Sequence, residues 1–251
     1  MDYDQTDISS RYDAARSMPT KAISGWMDRV ARAVPPEEVS IAADIGCGTG
    51  RFSGALRDRF AARMIGLDPS STMLREANRK LGSSGLSFLR STAECLPLST
   101  GAVDLAFMSM VYHHLSSARV VARELHRIVR PSGYLCIRNS LVDHLDLFVH
   151  LQYFPTARTH LESVLPTRKS LLGQFVSNGF EAILVEDVEL VFAESFAELE
   201  KKIGLRAQSE LVSISTSEFE AGLAKMKEAR SRWGQEAPIK ISVGLFVFRR
   251  A

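Results

Sequence analysis

The residues best placed to do chemistry lie in a glycine-rich segment, Asp44-Ile45-Gly46-Cys47-Gly48-Thr49-Gly50, which follows an apolar stretch. Glycine lets the backbone turn tightly and lets a ligand approach it closely. A helix beginning just after the glycines would add unpaired N–H groups and a partial positive charge. Asp44 precedes the first glycine, where its carboxylate could reach an ammonium group directly or through water. We interpret the segment as a nucleotide-type cofactor site contacted by Asp44, Gly46, Gly48 and Gly50.

A second acid, Asp68, ends the next apolar stretch. A carboxylate at the tip of a second strand can accept hydrogen bonds from both ribose hydroxyls, as it does in dinucleotide sites. The alternative is a tight strand-to-helix turn with no ligand. A strand before the glycines, a helix after them and an acid ending the second strand together favour the cofactor site.

These residues need elements that bring them together, and the hydrophobic pattern predicts such elements. Strands are predicted at 40–45, 63–67, 86–89, 102–108 and 134–138, and they alternate with helices at 51–60, 71–81 and 118–129. Short connections in this alternation predict a parallel sheet with right-handed crossovers. Open sheets of this kind bind ligands at the carboxyl ends of their strands.

The pattern changes after Asn139. Mostly helical stretches are predicted at 140–165, 168–178 and 196–226, with late strands at 182–192 and 240–248. We therefore divide the chain into an N-terminal helical lid (1–39), a cofactor-binding core (40–139), a cap insertion (140–167) and the rest of the core (168–251). The last part carries a second helical cap insertion at about 194–238.

Several segments carry a family resemblance, in order along the chain. Ala43-Asp44-Ile45-Gly46-Cys47-Gly48-Thr49-Gly50 resembles the first motif of class I S-adenosylmethionine-dependent methyltransferases, and Gly66-Leu67-Asp68-Pro69-Ser70 resembles their acidic second motif. Further resemblances are an adenine-side loop (Ala93-Glu94-Cys95-Leu96-Pro97), a fourth strand (Val103-Asp104-Leu105-Ala106-Phe107) and a helix-turn-strand segment (Leu125 to Leu135). Arg11-Tyr12-Asp13-Ala14-Ala15 resembles an N-terminal box of small-molecule members similar to ubiquinone-biosynthesis enzymes.

The resemblance implies an α/β fold: a Rossmann-like, doubly wound sheet of seven strands, mostly parallel with an antiparallel last strand, plus helical cap insertions. It implies S-adenosyl-L-methionine as the cofactor. Beyond the glycine loop and Asp68, the cofactor contacts that it implies are Tyr12, Arg16, Pro69, Met73, Thr92, Ala93, Glu94, Met108 and Ser109. Thr92 departs from the family pattern, because many relatives have Asp there to receive the adenine amino group.

A dinucleotide is the runner-up cofactor. Its fingerprint requires Gly-x-Gly-x-x-Gly, whereas here the third glycine comes one residue early and Arg51 follows it. S-adenosylmethionine has no phosphate to place at a helix N-terminus. It needs an acid and carbonyl groups near its ammonium, which Asp44 and the Gly46 carbonyl can supply.

Two histidines, His113 and His114, follow the fourth predicted strand at the ligand edge of the sheet. An imidazole titrates near neutral pH, so either one could be a general base. The alternative is a packed, hydrogen-bonded histidine, which we weight more heavily. Methyl transfer is an in-line displacement that depends on alignment, and it requires a base only when the acceptor must lose a proton.

Candidate acceptor contacts come from the second half of the chain: Asn139, Tyr153, His160 and Trp233. Aromatic residues at helical spacing more often belong to a core, so that alternative stays open. Asp143, His144 and Asp146 fall mostly on different helical faces, and we therefore predict no metal site.

Bulk properties limit the partners. The 251 residues carry a net charge of +2 with no long basic block, so no nucleic-acid or anionic-membrane footprint is evident. Three separated cysteines argue against a disulfide framework, and the polar N-terminus has no signal-peptide core, so a cytoplasmic location is expected. The protein is expected to act as a monomer or homodimer.

These observations predict a methyltransferase that moves a methyl group to an O, N or C atom of a small organic acceptor. No Asn-Pro-Pro-Tyr type box is present, which weakens DNA, RNA and protein as acceptors. The alternative is a protein that binds S-adenosylmethionine without transferring methyl, as a cyclase-type catalyst or a sensor.

Overall fold

The computed structural model describes residues 18, 20–82, 85–206, 208–230 and 237–251. Within them, seven strands form one sheet in the order β3-β2-β1-β4-β5-β7-β6. The strands are β1 Ile41–Ile45, β2 Arg63–Asp68, β3 Leu86–Arg90, β4 Val103–Ser109, β5 Val129–Asn139, β6 Phe180–Ala193 and β7 Ile239–Arg250. Strands β1 to β5 pair in parallel, whereas β7 pairs antiparallel with both β5 and β6. The predicted seven-stranded sheet with an antiparallel last strand is therefore confirmed.

The helices follow the predicted alternation in the first half of the chain. They are α1 Thr20–Ala33, α2 Ser53–Phe60, α3 Ser71–Leu81, α4 Ala118–Ile128, α5 Pro155–Val164, α6 Arg168–Val176, α7 Phe196–Gly204, α8 Ser209–Val212 and α9 Thr216–Ala229. Helix α3 begins at Ser71, as the predicted bounds 71–81 have it, and Ser70 is its N-cap, because the Ser70 hydroxyl accepts a hydrogen bond from Met73 N at 3.2 Å. The predicted helix at 51–60 begins two residues later, because Arg51 and Phe52 still belong to the turn that follows the glycines.

Helix α1 packs against one face of the sheet. Trp26, Met27 and Val30 are buried in the same apolar cluster as Leu56 of α2 and Phe107 of β4. The described part of the predicted lid is thus mainly a layer of the core. Only Met18 and the first turn of α1, with Lys21 and Ala22, reach the cavity described below.

The predicted cap insertions pack against each other and share a third apolar cluster. The first contributes Leu151, Phe154 and Leu161, and the second contributes Leu199 and Phe219 with their neighbours. The Phe154 and Phe219 rings stack with centroids 5.8 Å apart. Within the predicted helical stretch 140–165, the first part forms two 3-10 turns instead, Val142–Leu147 and Val149–Tyr153, before α5 begins at Pro155. The cap therefore has its own small core and lies over the sheet.

No helix among the described residues is long and apolar enough to cross a bilayer. Nor do three metal-ligating side chains come together within those ranges.

Candidate active site

A cavity of about 600 Å³ lies between the carboxyl ends of the central strands and the cap. This volume is in the range of small-molecule sites. Asp44, the glycine loop and Phe52 line it from β1 and α2, and Ser109 and Arg138 line it from β4 and β5. His150, Gln208 and Glu210 line it from the cap. The cavity is therefore shared by the predicted cofactor loop and by residues far from it in sequence.

The glycine loop turns the chain from β1 into α2. Gly46, Gly48 and Gly50 have φ values of +68°, +55° and +77°, a region that side chains other than glycine rarely adopt. A Cβ on Gly46 would collide with the Val111 side chain, whereas one on Gly48 would meet nothing within 4 Å. Gly46 and Gly48 line the cavity and Gly50 does not. Gly46 is thus required by its conformation and packing, and Gly48 leaves room for a ligand beside the backbone.

Asp44 is a buried acid at the cofactor-loop end of the cavity, with 2% of its surface exposed. Its Oδ2 accepts a 2.6 Å hydrogen bond from Ser53 Oγ. Burial raises the pKa of Asp44 to about 7, the Ser53 hydrogen bond opposes the rise, and the neighbouring Asp68 charge adds to it. A carboxylate held this way favours a cationic ligand, because a positive charge would offset the cost of ionising it.

Asp68 lies beside the cavity and does not line it. Its Oδ2 accepts from Gly48 N at 2.8 Å, and its Oδ1 accepts from Ser70 N at 2.9 Å. The carboxylate therefore ties the glycine loop to the start of α3. Its predicted role toward a ribose stays a prediction.

Arg138 ends the run of apolar residues in β5 and is buried at the cavity wall. Its guanidinium lies 4.5 Å from the Trp26 ring centroid and 5.5 Å from that of Phe52. Arg138 Nη1 donates to Ser109 Oγ at 3.1 Å. The cation–π contacts and this hydrogen bond hold a positive charge at the cavity wall.

The two predicted base candidates lie in a 3-10 turn, Tyr112–His114, with ring centroids 4.1 Å apart. His113 lines the cavity, whereas His114 is exposed and lies outside its lining. Met108, predicted to touch the donor, is wholly buried in an apolar core cluster and does not line the cavity. Its neighbour Ser109 takes the cavity position, because side chains alternate between the faces of a strand.

The predicted adenine-side residues Pro69, Met73, Thr92, Ala93 and Glu94 lie outside the cavity lining. Met73 and Ala93 are buried, and Thr92 is exposed. The Glu94 carboxylate accepts from Ser116 N at 3.1 Å and Ser116 Oγ at 2.6 Å, which joins the loop after β3 to the turn before α4. Their contacts with an adenine stay predictions.

The predicted acceptor contacts do not gather in the cavity. Asn139 is buried and donates to Ser140 O at 2.8 Å, Tyr153 packs edge-on against Phe196 in the cap core, and His160 is exposed. None of these three lines the cavity, and their roles toward an acceptor stay predictions. Trp233, Tyr12 and Arg16 lie outside the described residues.

Sequence reasoning missed the polar residues that the cap brings to the cavity: His150, Gln208 and Glu210. It also missed Arg138. A charged residue in an otherwise apolar strand was a usable signal for Arg138. No local pattern marks the other three, because they converge only through packing of the two insertions.

Comparison with known proteins agrees with this geometry. A sequence profile described as a methyltransferase domain matches residues 43–137. Malonyl-acyl-carrier-protein O-methyltransferase from Marinomonas sp. is 26% identical over 240 residues, covering 89% of this chain and 85% of the relative. The ubiquinone/menaquinone biosynthesis C-methyltransferase of Rubrivivax gelatinosus is 26% identical over 205 residues, covering 74% of this chain and 81% of the relative.

A solved structure shares the fold. It is described as a methyltransferase from an antibiotic biosynthesis pathway of Anabaena variabilis, with a TM-score of 0.69 at 19% identity. The superposition covers 90% of this chain and 97% of the other.

The sheet order, the glycine turn after β1 and the buried acid beside it define a Rossmann-like cofactor-binding protein. Residues 43–137 form a methyltransferase domain, and the two relatives extend the similarity over most of the chain. The chain is thus similar to S-adenosylmethionine-dependent methyltransferases, and S-adenosylmethionine is its cofactor. The residues present fit that group, because Asp44 offers a buried carboxylate to a cation and Gly48 leaves open space at the loop.

Proposed function

We propose that the protein transfers a methyl group from S-adenosylmethionine to a small organic acceptor held inside the cavity. One observation carries the proposal: the cavity joins the glycine loop to polar side chains of the cap. Donor and acceptor can therefore share one cavity, which is what an in-line displacement requires.

Each part of the site has a separate task. Asp44 and the Gly46 carbonyl hold the ammonium of the donor, and Asp68 holds its ribose. S-adenosylmethionine supplies an electrophilic methyl group when bound. The apolar walls, which include Phe52, Phe148 and Phe192, exclude water and confine the acceptor.

The two relatives are named for different acceptors, so they do not identify the acceptor of this protein. One relative is named for O-methylation of malonyl-acyl-carrier protein and the other for C-methylation in quinone biosynthesis. We propose a free small molecule as the acceptor, because the polar cap residues that would contact it are buried. A monomer or homodimer in the cytoplasm remains our expectation.

The first test is donor binding. Calorimetry with S-adenosylmethionine should give saturable binding, and Asp68→Ala should weaken it about tenfold or more by removing the ribose ligand and an anchor of the glycine loop. Asp58→Ala is the matched control, since Asp58 is an exposed acid paired with Arg57 on α2. Equal affinity in both variants would refute the assignment of Asp68.

The second test is methyl transfer. The protein is incubated with S-adenosylmethionine carrying a deuterated methyl group and a small-molecule extract, and products are sought by mass spectrometry. A labelled methyl ether, ester, amine or C-methyl product that requires the protein supports the proposal. Donor binding without S-adenosylhomocysteine formation would favour the non-methylating alternative.

A further inference from the structure

Ser53 is a buried hydroxyl at the start of α2, the helix that follows the glycine loop. The residue is 0% exposed and does not line the cavity. Its Oγ donates to Asp44 Oδ2 at 2.6 Å, across nine positions of the sequence. The turn from β1 into α2 therefore ends in a contact that runs back from the helix to the buried acid of the cofactor loop.

The hydroxyl of Ser53 does not cap its own helix. The N-cap of α2 is Phe52, which makes no side-chain capping hydrogen bond. At the starts of α3 and α7, by contrast, Ser70 and Ser195 each accept a hydrogen bond from a backbone N–H. A serine at a helix start usually acts in that way. Ser53 donates instead, so its hydroxyl is committed to the Asp44 carboxylate.

The Asp44 carboxylate depends on this one donor. Within the described ranges no other group donates a hydrogen bond to it, so Oδ1 remains for a ligand at the cavity wall. A buried carboxylate is costly to ionise, and a hydrogen bond to the charged form reduces that cost. Burial raises the pKa of Asp44 to about 7, and without Ser53 the pKa would be higher. Ser53 thus lowers the cost of a charge on Asp44 before any ligand binds.

The groups around Asp44 leave this task to Ser53. Asp68, at the end of β2, adds to the rise in the Asp44 pKa. Burial and the two acids raise the pKa of the Cys47 thiol, which therefore stays neutral. Of the three effects on the Asp44 pKa, which are burial, Ser53 and Asp68, only Ser53 lowers it. Other titratable side chains that line the cavity from α1, the glycine turn, the 3-10 turn after β4 and β5 are Lys21, Arg51, His113 and Arg138.

We infer that Ser53 is a positioning residue: its hydroxyl fixes Oδ2 of Asp44, leaves Oδ1 to the ammonium of the donor and sets the pH range in which the site accepts the donor. As the ammonium enters, the Asp44 proton leaves to water and the cation takes its place, while Ser53 stays on Oδ2. Without the hydroxyl, Asp44 holds its proton more tightly and the donor has to compete with it up to a higher pH. This inference rests on the proposed function, in which Asp44 holds the ammonium.

The first test measures binding of S-adenosylhomocysteine, which carries the same ammonium, to the whole protein at a series of pH values. Ser53→Ala should bind about tenfold more weakly than the unmodified protein at roughly pH 6, because losing a hydrogen bond to a charged group raises the pKa of Asp44. At roughly pH 9 Asp44 is ionised in both proteins, so the two affinities should converge. The amino group of the probe titrates alike in both measurements and cancels in their ratio.

This convergence distinguishes positioning from a merely structural role. A distorted site would weaken binding by the same factor at every pH. Ser53→Thr keeps the hydroxyl, so it should restore the affinity of the unmodified protein at roughly pH 6. Ser177→Ala is the matched control, since Ser177 Oγ also donates, to Gln174 O at 3.1 Å, but is exposed and outside the cavity lining. Its loss should leave binding unchanged at every pH.

The second test follows Asp44 itself in the protein without ligand. Carbon-13 labels on the aspartate carboxyl groups report the ionisation of each one, and the Asp44 signal is the one that Asp44→Asn removes. The titration midpoint of this signal should lie about one pH unit higher in Ser53→Ala. This measurement requires neither donor binding nor activity.

The inference is overturned if Ser53→Ala weakens binding equally at every pH, if it binds as tightly as the unmodified protein at low pH, or if the Asp44 midpoint does not rise. The proposed function fails in a different way, through the absence of S-adenosylhomocysteine binding by the unmodified protein or the absence of a methylated product.

Discussion

Asp44→Asn should make the protein more stable at alkaline pH. In the folded protein the Asp44 carboxyl is buried, and its pKa is raised from 3.8 to about 7. Between these values the folded chain retains a proton that the unfolded chain has lost. Stability should therefore fall as the pH rises through this range, which is opposite to the usual behaviour of an acid held by a salt bridge.

The magnitude follows from the shift. Each pKa unit is worth about 1.36 kcal/mol, so a rise from 3.8 to about 7 amounts to about 4 kcal/mol once the group is ionised in both states. About 2.5 kcal/mol of this develops between roughly pH 5 and pH 8. An asparagine keeps an oxygen acceptor for Ser53 and carries no charge, so it should remove this pH dependence.

The assay is urea unfolding of the two proteins in the absence of ligand. The free energy of unfolding of the unmodified protein, relative to Asp44→Asn, should fall by about 2.5 kcal/mol from roughly pH 5 to pH 8. Asp58→Asn, at an exposed acid, is the control and should give a difference that is constant with pH. A constant difference for Asp44→Asn as well would refute the reasoning.

Asp44 should also make donor binding depend on pH. Affinity for the donor should rise with pH, whereas the free energy of unfolding falls. If the donor's ammonium requires ionised Asp44, affinity for S-adenosylmethionine should rise up to about thirtyfold from roughly pH 5.5 to pH 8. In Asp44→Asn the affinity should be weak and nearly constant. A pH-independent affinity in the unmodified protein would separate Asp44 from the ammonium.

Two other predictions concern the scaffold. Asp104 accepts from Ser40 N at 2.9 Å, Ile41 N at 2.8 Å and Arg130 Nε at 2.5 Å. Burial alone would raise the pKa of Asp104, but these donors outweigh it and hold the pKa below its ordinary value. Asp104→Asn should therefore cost about 1–3 kcal/mol in urea unfolding at neutral pH, a difference that shrinks as the pH falls below about 4; a pH-independent loss would contradict this. Gly222→Ala should destabilise the cap by about 1–3 kcal/mol, because a Cβ there would lie 2.7 Å from Tyr153 O and collide with Phe154. Its matched control is Gly25→Ala in α1, where a Cβ meets nothing within 4 Å and should stabilise by about 0.5–1 kcal/mol; equal effects of the two alanines in thermal unfolding would argue against this packing.

The sequence by itself determined the cofactor half of the protein. The features of this half are local: the glycine turn, Asp44, Asp68 and the alternation of strands and helices up to β5. Turn residues and hydrophobic periodicity within a few neighbouring positions are enough to predict them. The family motifs, read in order, implied the seven strands and the methyl donor. The start of α3 at Ser71 was predicted to the residue because its N-cap is a local hydrogen bond.

Tertiary structure alone decided which residues form the cap side of the cavity. His150 and Glu210 are 60 residues apart, and they meet because two insertions bury Phe154 and Phe219 against each other. The tertiary structure also decided that Ser109 lines the cavity while Met108 is buried in the core. Neighbouring residues of a strand lie on opposite faces, and which face a residue takes depends on what packs against each side of the sheet. Contacts between distant segments depend on how well their apolar surfaces fit together. That fit cannot be predicted from the spacing or the types of residues in a single sequence.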